Sequence, residues 1–163
     1  MGKRSKTTSE KGKFKEEIHA ALYKSQNIRE LLLDDTGGMS ASKVREEFKN
    51  HVKSHLFIDD TIEETGSFIF YDIVFPYIEP NIKTCKVLMY AICHRGILDN
   101  YYKEGYFGNR ADILSQMIED VLINDKEVAN NFGIGELTLD SVDIYNSTRF
   151  YGSVMTFNVP SFR

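Results

Sequence analysis

The sequence predicts an α+β fold: one mainly antiparallel sheet built from two hairpins, with helices packed on one face. Three observations predict it. Apolar residues recur at helical spacing before residue 57 and again over 109–122. Over 67–94 and 136–159 they give way to runs rich in aromatic and β-branched residues. Those runs come in pairs split by turn residues, and hairpins with helices between them indicate an α+β layer architecture.

The elements follow in order. Residues 1–13 are polar and read as a flexible basic arm, and 14–163 as a single α+β domain. Phe14 to Leu33 carries Ile18, Ala21, Leu22 and Tyr23, then Ile28, Leu31, Leu32 and Leu33, close to helical spacing. Ser25-Gln26-Asn27 divides this stretch, with Ser25 placed to cap a second helix, and Asp34 to Gly38 is a stop. A further helix is expected from Ser40 or Ser42, with Val44, Phe48, Val52 and Leu56 forming one stripe.

Ser67 to Ile78 and Thr84 to His94 read as a hairpin around Glu79-Pro80-Asn81. Pro76 suits an edge or a bulge. Cys85, Val87, Met89, Ala91 and Cys93 share one face of the second strand, and Leu88, Tyr90 and Ile92 the other. Both faces of this hairpin are therefore largely apolar, whereas an antiparallel hairpin with one solvated face keeps that face polar. A second cover is expected, from another subunit or from more of the same fold.

Leu98 to Gly108 is a loop with aromatic tips. Asn109 caps a helix with Asp112 at its third position and Ile113, Leu114, Met117, Ile118, Val121 and Leu122 as its stripe. Residues 126–135 form a loop, and Glu136–Tyr145 and Phe150–Val159 make the closing hairpin.

Charge is divided along the chain. Residues 1–15 have a net charge of +5 and the rest −9, giving the total of −4. An acidic body argues against a duplex-binding domain, because phosphate contacts supply most non-specific affinity. Eleven Phe and nine Tyr exclude full disorder. The charged N-terminus lacks an apolar h-region, so no secretory signal is expected, and no apolar run reaches the roughly 18 residues of a membrane span, so no membrane partner is expected. Cys85 and Cys93, about 26 Å apart on an extended strand, are too far for a disulfide and read as small buried hydrophobes of a reducing cytoplasm.

The residue pattern offers no recognisable catalytic or metal-binding constellation. His51 and His55 share a helix face, but two ligands are too few for a metal, and the glutamate of a metalloprotease motif is absent. Cys93 and His94 point to opposite faces of a strand, so they cannot pair as a thiolate and imidazolium. Asp34-Asp35, Asp59-Asp60 and Glu63-Glu64 read as turn and cap residues, and Asp72 stands alone on its strand without a metal-nuclease pattern. The glycines at 105, 108, 133 and 135 match no phosphate loop. The expectation is a non-enzymatic protein with no catalytic residue, no cofactor and no metal.

The stretches SFIFYDIVFPYI with TCKVLMYAICH, GYFGNRADILSQMIEDVL, FGIGELTLDSV and RFYGSVMTFNVPSF follow one another in a set order. With them, Phe14–Arg163 resembles the tail terminator and neck (tail-to-head joining) proteins of long-tailed bacteriophages. The shared pattern is a hairpin, a helix opened by Gly108-Asn-Arg110-Ala-Asp112, a short loop and a closing hairpin. The resemblance implies a structural virion protein, assembled in the host cytoplasm. It would act as a homo-oligomeric ring, usually a hexamer, that caps the tail tube and joins it to the head connector. Implied partners are further copies of the chain, the tail tube protein and the connector or other neck proteins. DNA would traverse the lumen without specific binding.

A ring needs a heterologous interface that closes. The interface is expected at Phe68, Phe70, Phe75, Tyr77, Tyr90, Tyr106, Phe107 and Arg110, and the basic arm (Lys3, Arg4, Lys6, Lys11 and Lys13) is expected to reach a partner. The rival expectations are another neck or head-completion role, an adaptor whose arm binds nucleic acid, and a monomeric enzyme or ligand-binding domain. The last would gather Arg110, Asp112 and His94 in a pocket beside Tyr101.

Overall fold

The computed structural model describes residues 7–34, 36–56, 62, 64–80, 83–124 and 137–162. Helix α1 spans Thr7–Lys24 and buries Phe14, Ile18, Ala21 and Leu22 along one face. It begins ahead of Phe14, so residues 7–13 are helical and not a free arm. Lys3, Arg4 and Lys6 lie outside the described residues.

Ser25 then breaks the helix as expected. It is extended (φ −75°, ψ 110°), and its hydroxyl accepts the Ile28 N–H at the start of α2, Gln26–Leu33. Helix α3, Ala41–His51, is capped by Ser40, whose hydroxyl accepts the Lys43 N–H.

The stripe expected through Val52 and Leu56 ends early. The chain turns extended at Val52 (φ −126°, ψ 111°), and Val52–Lys53 form β1, paired in parallel with Ile69 and Phe70. Val52, β-branched, gains burial and ladder hydrogen bonds at the sheet edge, while Leu56 stays exposed.

The hairpin consists of β2, Ser67–Ile78, and β3, Lys83–His94. The register runs from Ser67 opposite Cys93 to Ile78 opposite Lys83, with a bulge between Val74 and Tyr77. That bulge contains Pro76, which has no N–H to give to the ladder. Helix α4, Arg110–Glu119, runs on into a wider turn over Asp120–Asn124. The closing hairpin is β4, Thr138–Asn146, and β5, Phe150–Phe162. The loop expected at 126–135 lies outside the described residues.

Among the described residues one sheet forms, in the order β1-β2-β3-β5-β4, antiparallel except at β1. β3 lies at its centre. Cys85, Val87, Met89 and Ala91 are completely buried on the helix side, together with Ile69, Tyr71, Ile73, Met155 and Phe157 and the stripes of all four helices. The two cysteines are free thiols. Burial pushes Cys85 up to about 12 and Cys93 up to about 11, so both stay protonated.

Gly152 is required by a close approach of strands. It stands opposite Ile92, and a Cβ there would lie inside the contact distance of the Ala91 carbonyl oxygen.

The face away from the helices corrects an expectation. Phe68 and Phe70 are each only 3% exposed, and with Ile92, Phe150 and Ile62 they form a second cluster inside the protomer. His51 stacks on Phe68 with centroids 4.9 Å apart, and Phe150 meets Phe68 edge-on. Arg149 donates to the Ile62 carbonyl, fastening Ile62 over the cluster. Toward the other end this face turns polar, where Lys86 reaches Asp140 at 3.3 Å. The chain itself thus covers the apolar end of the hairpin, and a neighbour is not needed to shelter Phe68 and Phe70.

Candidate functional site

Three of the expected interface residues lie within the fold. Phe68 and Phe70 belong to the buried cluster just described. Arg110 is the third, and it is the most thoroughly bonded cation among the described residues. It is buried, donates Nε–H to the Ser67 hydroxyl at 2.9 Å, and donates through Nη2 to the Leu31 carbonyl at 2.8 Å and the Asp34 carboxylate at 2.6 Å. Its guanidinium lies 5.0 Å from the centroid of the Tyr101 ring. A buried cation is tolerable only when its donors are satisfied, and these contacts tie α4 to the end of α2 and to β2. Arg110 is an internal tie and not a surface contact.

Nothing in the local sequence pointed to Ser67 or the Leu31 carbonyl as its partners. Asp34 carried a faint signal as a helix stop. It sits at positive φ (56°), where a non-glycine residue is strained, and its ion pair with Arg110 holds it there.

The other expected residues divide. Tyr90 is half-buried and packs edge-on against Tyr145. Phe75 packs at the margin of the main core. Tyr106 is half-buried, donates its hydroxyl to Asp120 and accepts from Asn27. Tyr77 is exposed, with its hydroxyl on Glu79.

Phe107 is different: its ring is 78% exposed while its main chain is fixed. The Gln116 side chain accepts the Phe107 N–H at 3.1 Å and donates to the Phe107 carbonyl at 2.6 Å. Gly108, at φ 99°, turns the chain from there into the cap of α4. In that cap Asn109 and Asp112 exchange side-chain-to-backbone hydrogen bonds, a capping box. Tyr102, in the same loop, is 82% exposed. The loop thus presents two aromatic rings on an anchored backbone. Elsewhere, edge strand β4 leaves Val142 and Ile144 exposed, Ile144 by 74%.

Of the arm residues within the described range, Lys11 lies 3.4 Å from Asp72, which Lys15 also holds at 2.9 Å. Burial acts to raise the Asp72 carboxyl. The hydrogen bond from Lys15, the Ile73 N–H and the charges of Lys15 and Lys11 outweigh it and hold the carboxyl below its ordinary value. Lys13 is exposed on α1.

The pocket expected to gather Arg110, Asp112 and His94 does not assemble. Asp112 is committed to its cap, and His94 accepts the Gly96 N–H. A cleft beside Tyr101 is lined instead by Glu30, Asp34, Tyr102 and Lys103, and Glu30 is paired with Lys103. His51 donates its Nδ1–H to the Ser67 carbonyl, while His55 lies beyond the end of α3, so the two do not share a helix face. Among the described residues no group of three or more His, Cys, Asp or Glu is placed to hold a metal, and no helix is long and apolar enough to cross a membrane.

No curated protein matches the chain. The family model YomW matches residues 16–159, from the middle of α1 to within β5. With most of its length and nearly every element described above inside that match, the chain belongs to the YomW family.

Proposed function

We propose that this protein is a structural component of a tailed-phage virion, a tail terminator that assembles as a closed ring, caps the tail tube and joins it to the head connector. In this reading it is not an enzyme. The sequence resemblance and the α+β frame support the reading, and the observation that carries it is Phe107. A ring 78% exposed on a main chain clamped at both N–H and C=O is costly in water and ready for a partner.

A closed ring joins two different patches, one from each side of the protomer. The rigid aromatic loop with Tyr102 and Phe107 supplies one. Edge strand β4, with Val142 and Ile144, supplies the other; among the described residues no strand pairs its outer side, and such an edge readily accepts a neighbour. The interface therefore moves from the hairpin to the loop and β4. Tail tube and connector proteins would meet the two ends of the ring, and DNA would pass its acidic wall without specific binding.

Cysteine cross-linking tests this pairing, because the native thiols are buried and protonated. Glu104→Cys and Asp143→Cys in one chain are expected to give, on oxidation, a ladder of covalent oligomers that stops at the size of the ring. A chain that stays monomeric, or a ladder without an end, would contradict closure.

A further inference from the structure

A basic cleft between α1, α3 and β1, floored by the core residues Val52 and Tyr71, takes no part in the proposed interface. Its volume is about 520 Å3, within the roughly 300–1,000 Å3 range of small-ligand sites. Lys15, His19, Lys49, Lys53 and His55 line it, and Glu16 is the acid among them.

The fold brings these residues together from three places. Lys15 and His19 stand one turn apart on α1, Lys49 is in the last turn of α3, and Lys53 and His55 follow on the chain beyond it. Because α3 stops at His51, β1 and the residues after it swing into the cleft instead of continuing the helix.

Lys15 is fixed by Asp72 and by the Ser54 carbonyl at 2.7 Å. No ion pair among the described residues joins Lys49 or Lys53 to a carboxylate. In a body whose net charge is −9 beyond residue 15, Lys49 and Lys53 therefore converge on one space with two histidines and the Asp72-paired Lys15. Burial and the charge of Lys49 already disfavour a proton on His19. Like charges in a concavity repel one another and focus a positive field, and a compact multivalent anion relieves the one and is attracted by the other.

We propose that this cleft binds clustered phosphate groups, with Lys49 and Lys53 as the principal charge contacts and Lys15 as a fixed donor. Lysine ammonium groups suit phosphate oxygens as point charges approached from several directions. The chemistry is shared by a free polyphosphate ligand and by a stretch of nucleic-acid backbone. The proposal does not rest on ring assembly, since the cleft lies within one protomer.

The test is calorimetric titration of the full chain at low salt with two probes, inorganic tripolyphosphate and a single-stranded DNA 20-mer. Saturable binding of at least one probe is expected. It should fall at least tenfold in Lys49→Gln/Lys53→Gln and much less in the control Lys24→Gln/Lys43→Gln, which removes the same charge away from the cleft. Gly12→Glu, where an added Cβ meets open space at the rim, should weaken binding as well. Tripolyphosphate binding alone assigns the site to a free ligand, and DNA binding alone assigns it to a backbone. Absence of binding by both probes, or equal losses in the cleft and control variants, overturns the proposal. Oligomeric mass recorded on the same samples keeps this result separate from that for the ring.

Discussion

Arg110 and Asp34, 76 residues apart, meet through a 2.6 Å ion pair whose arginine end is buried and whose carboxylate end is largely in water. The pair closes the strained end of α2 onto the start of α4. Arg110→Met removes the guanidinium and leaves the Ser67 hydroxyl and the Leu31 carbonyl without their donor. The expected loss is about 2–4 kcal/mol, or roughly 5–15 °C in Tm for a chain of this size. Arg110→Lys should recover only part of it, because an ammonium cannot span three acceptors and a ring face at once. Thermal unfolding of the three proteins side by side checks this.

Gly152→Ala should be more damaging than any other single methyl added to the sheet. The Cβ would press on the Ala91 carbonyl oxygen, backbone that cannot rotate away. A loss of about 3 kcal/mol or more is expected, with faster amide exchange in β3 and β5 than in α1.

The contact between α1 and Asp72 has a defined pH sign. The folded carboxyl titrates below its ordinary value, so the stability it contributes is present above the unfolded pKa, about 3.9, and is lost as pH falls through the folded pKa. Asp72→Asn should lower stability at pH 7 by on the order of 0.5 kcal/mol. The gap between variant and parent should close as the pH is taken below about 4. Paired unfolding curves at pH 7 and pH 3 measure it.

Cys85 and Cys93 should resist alkylation at pH 8 in the folded protein and react fully once denatured. Their thiols are buried and raised to about 12 and about 11. Mass spectrometry after a short iodoacetamide pulse counts the labels.

The fold was legible wherever the signal is local. The Ser25 and Ser40 caps, the Asn109–Asp112 box, the Pro76 bulge and the helix-side face of β3 all follow from residue type and spacing. What lay beyond local reading was contact across the chain. Val52 fits a helical stripe equally well, and only the edge of β2 made it a strand. The second apolar face of β2 and β3 was visible, but Ile62 and His51 as its cover were not, because a residue 16 positions away announces no partner. In the sequence Phe107 stands out only as an aromatic residue in a glycine-flanked loop. That it is exposed and clamped depends on Gln116, nine residues on, whose amide could as well have met water.

Assembly separates the rings of the loop from the fold. Phe107→Ser and Tyr102→Ser should leave Tm within about 1 °C, as exposed substitutions do, yet weaken self-association at least tenfold. Gln116→Ala, which keeps Phe107 but frees its backbone, should weaken association by a smaller factor. Sedimentation velocity across a concentration series reads all three.

The most direct measurement is the absolute mass of the purified chain by light scattering at high micromolar concentration, with negative-stain images of the same sample. One discrete closed oligomer is expected, near six times the 18.8 kDa protomer, seen as rings. A mass of one protomer at every concentration, with no rings in the images, would contradict it.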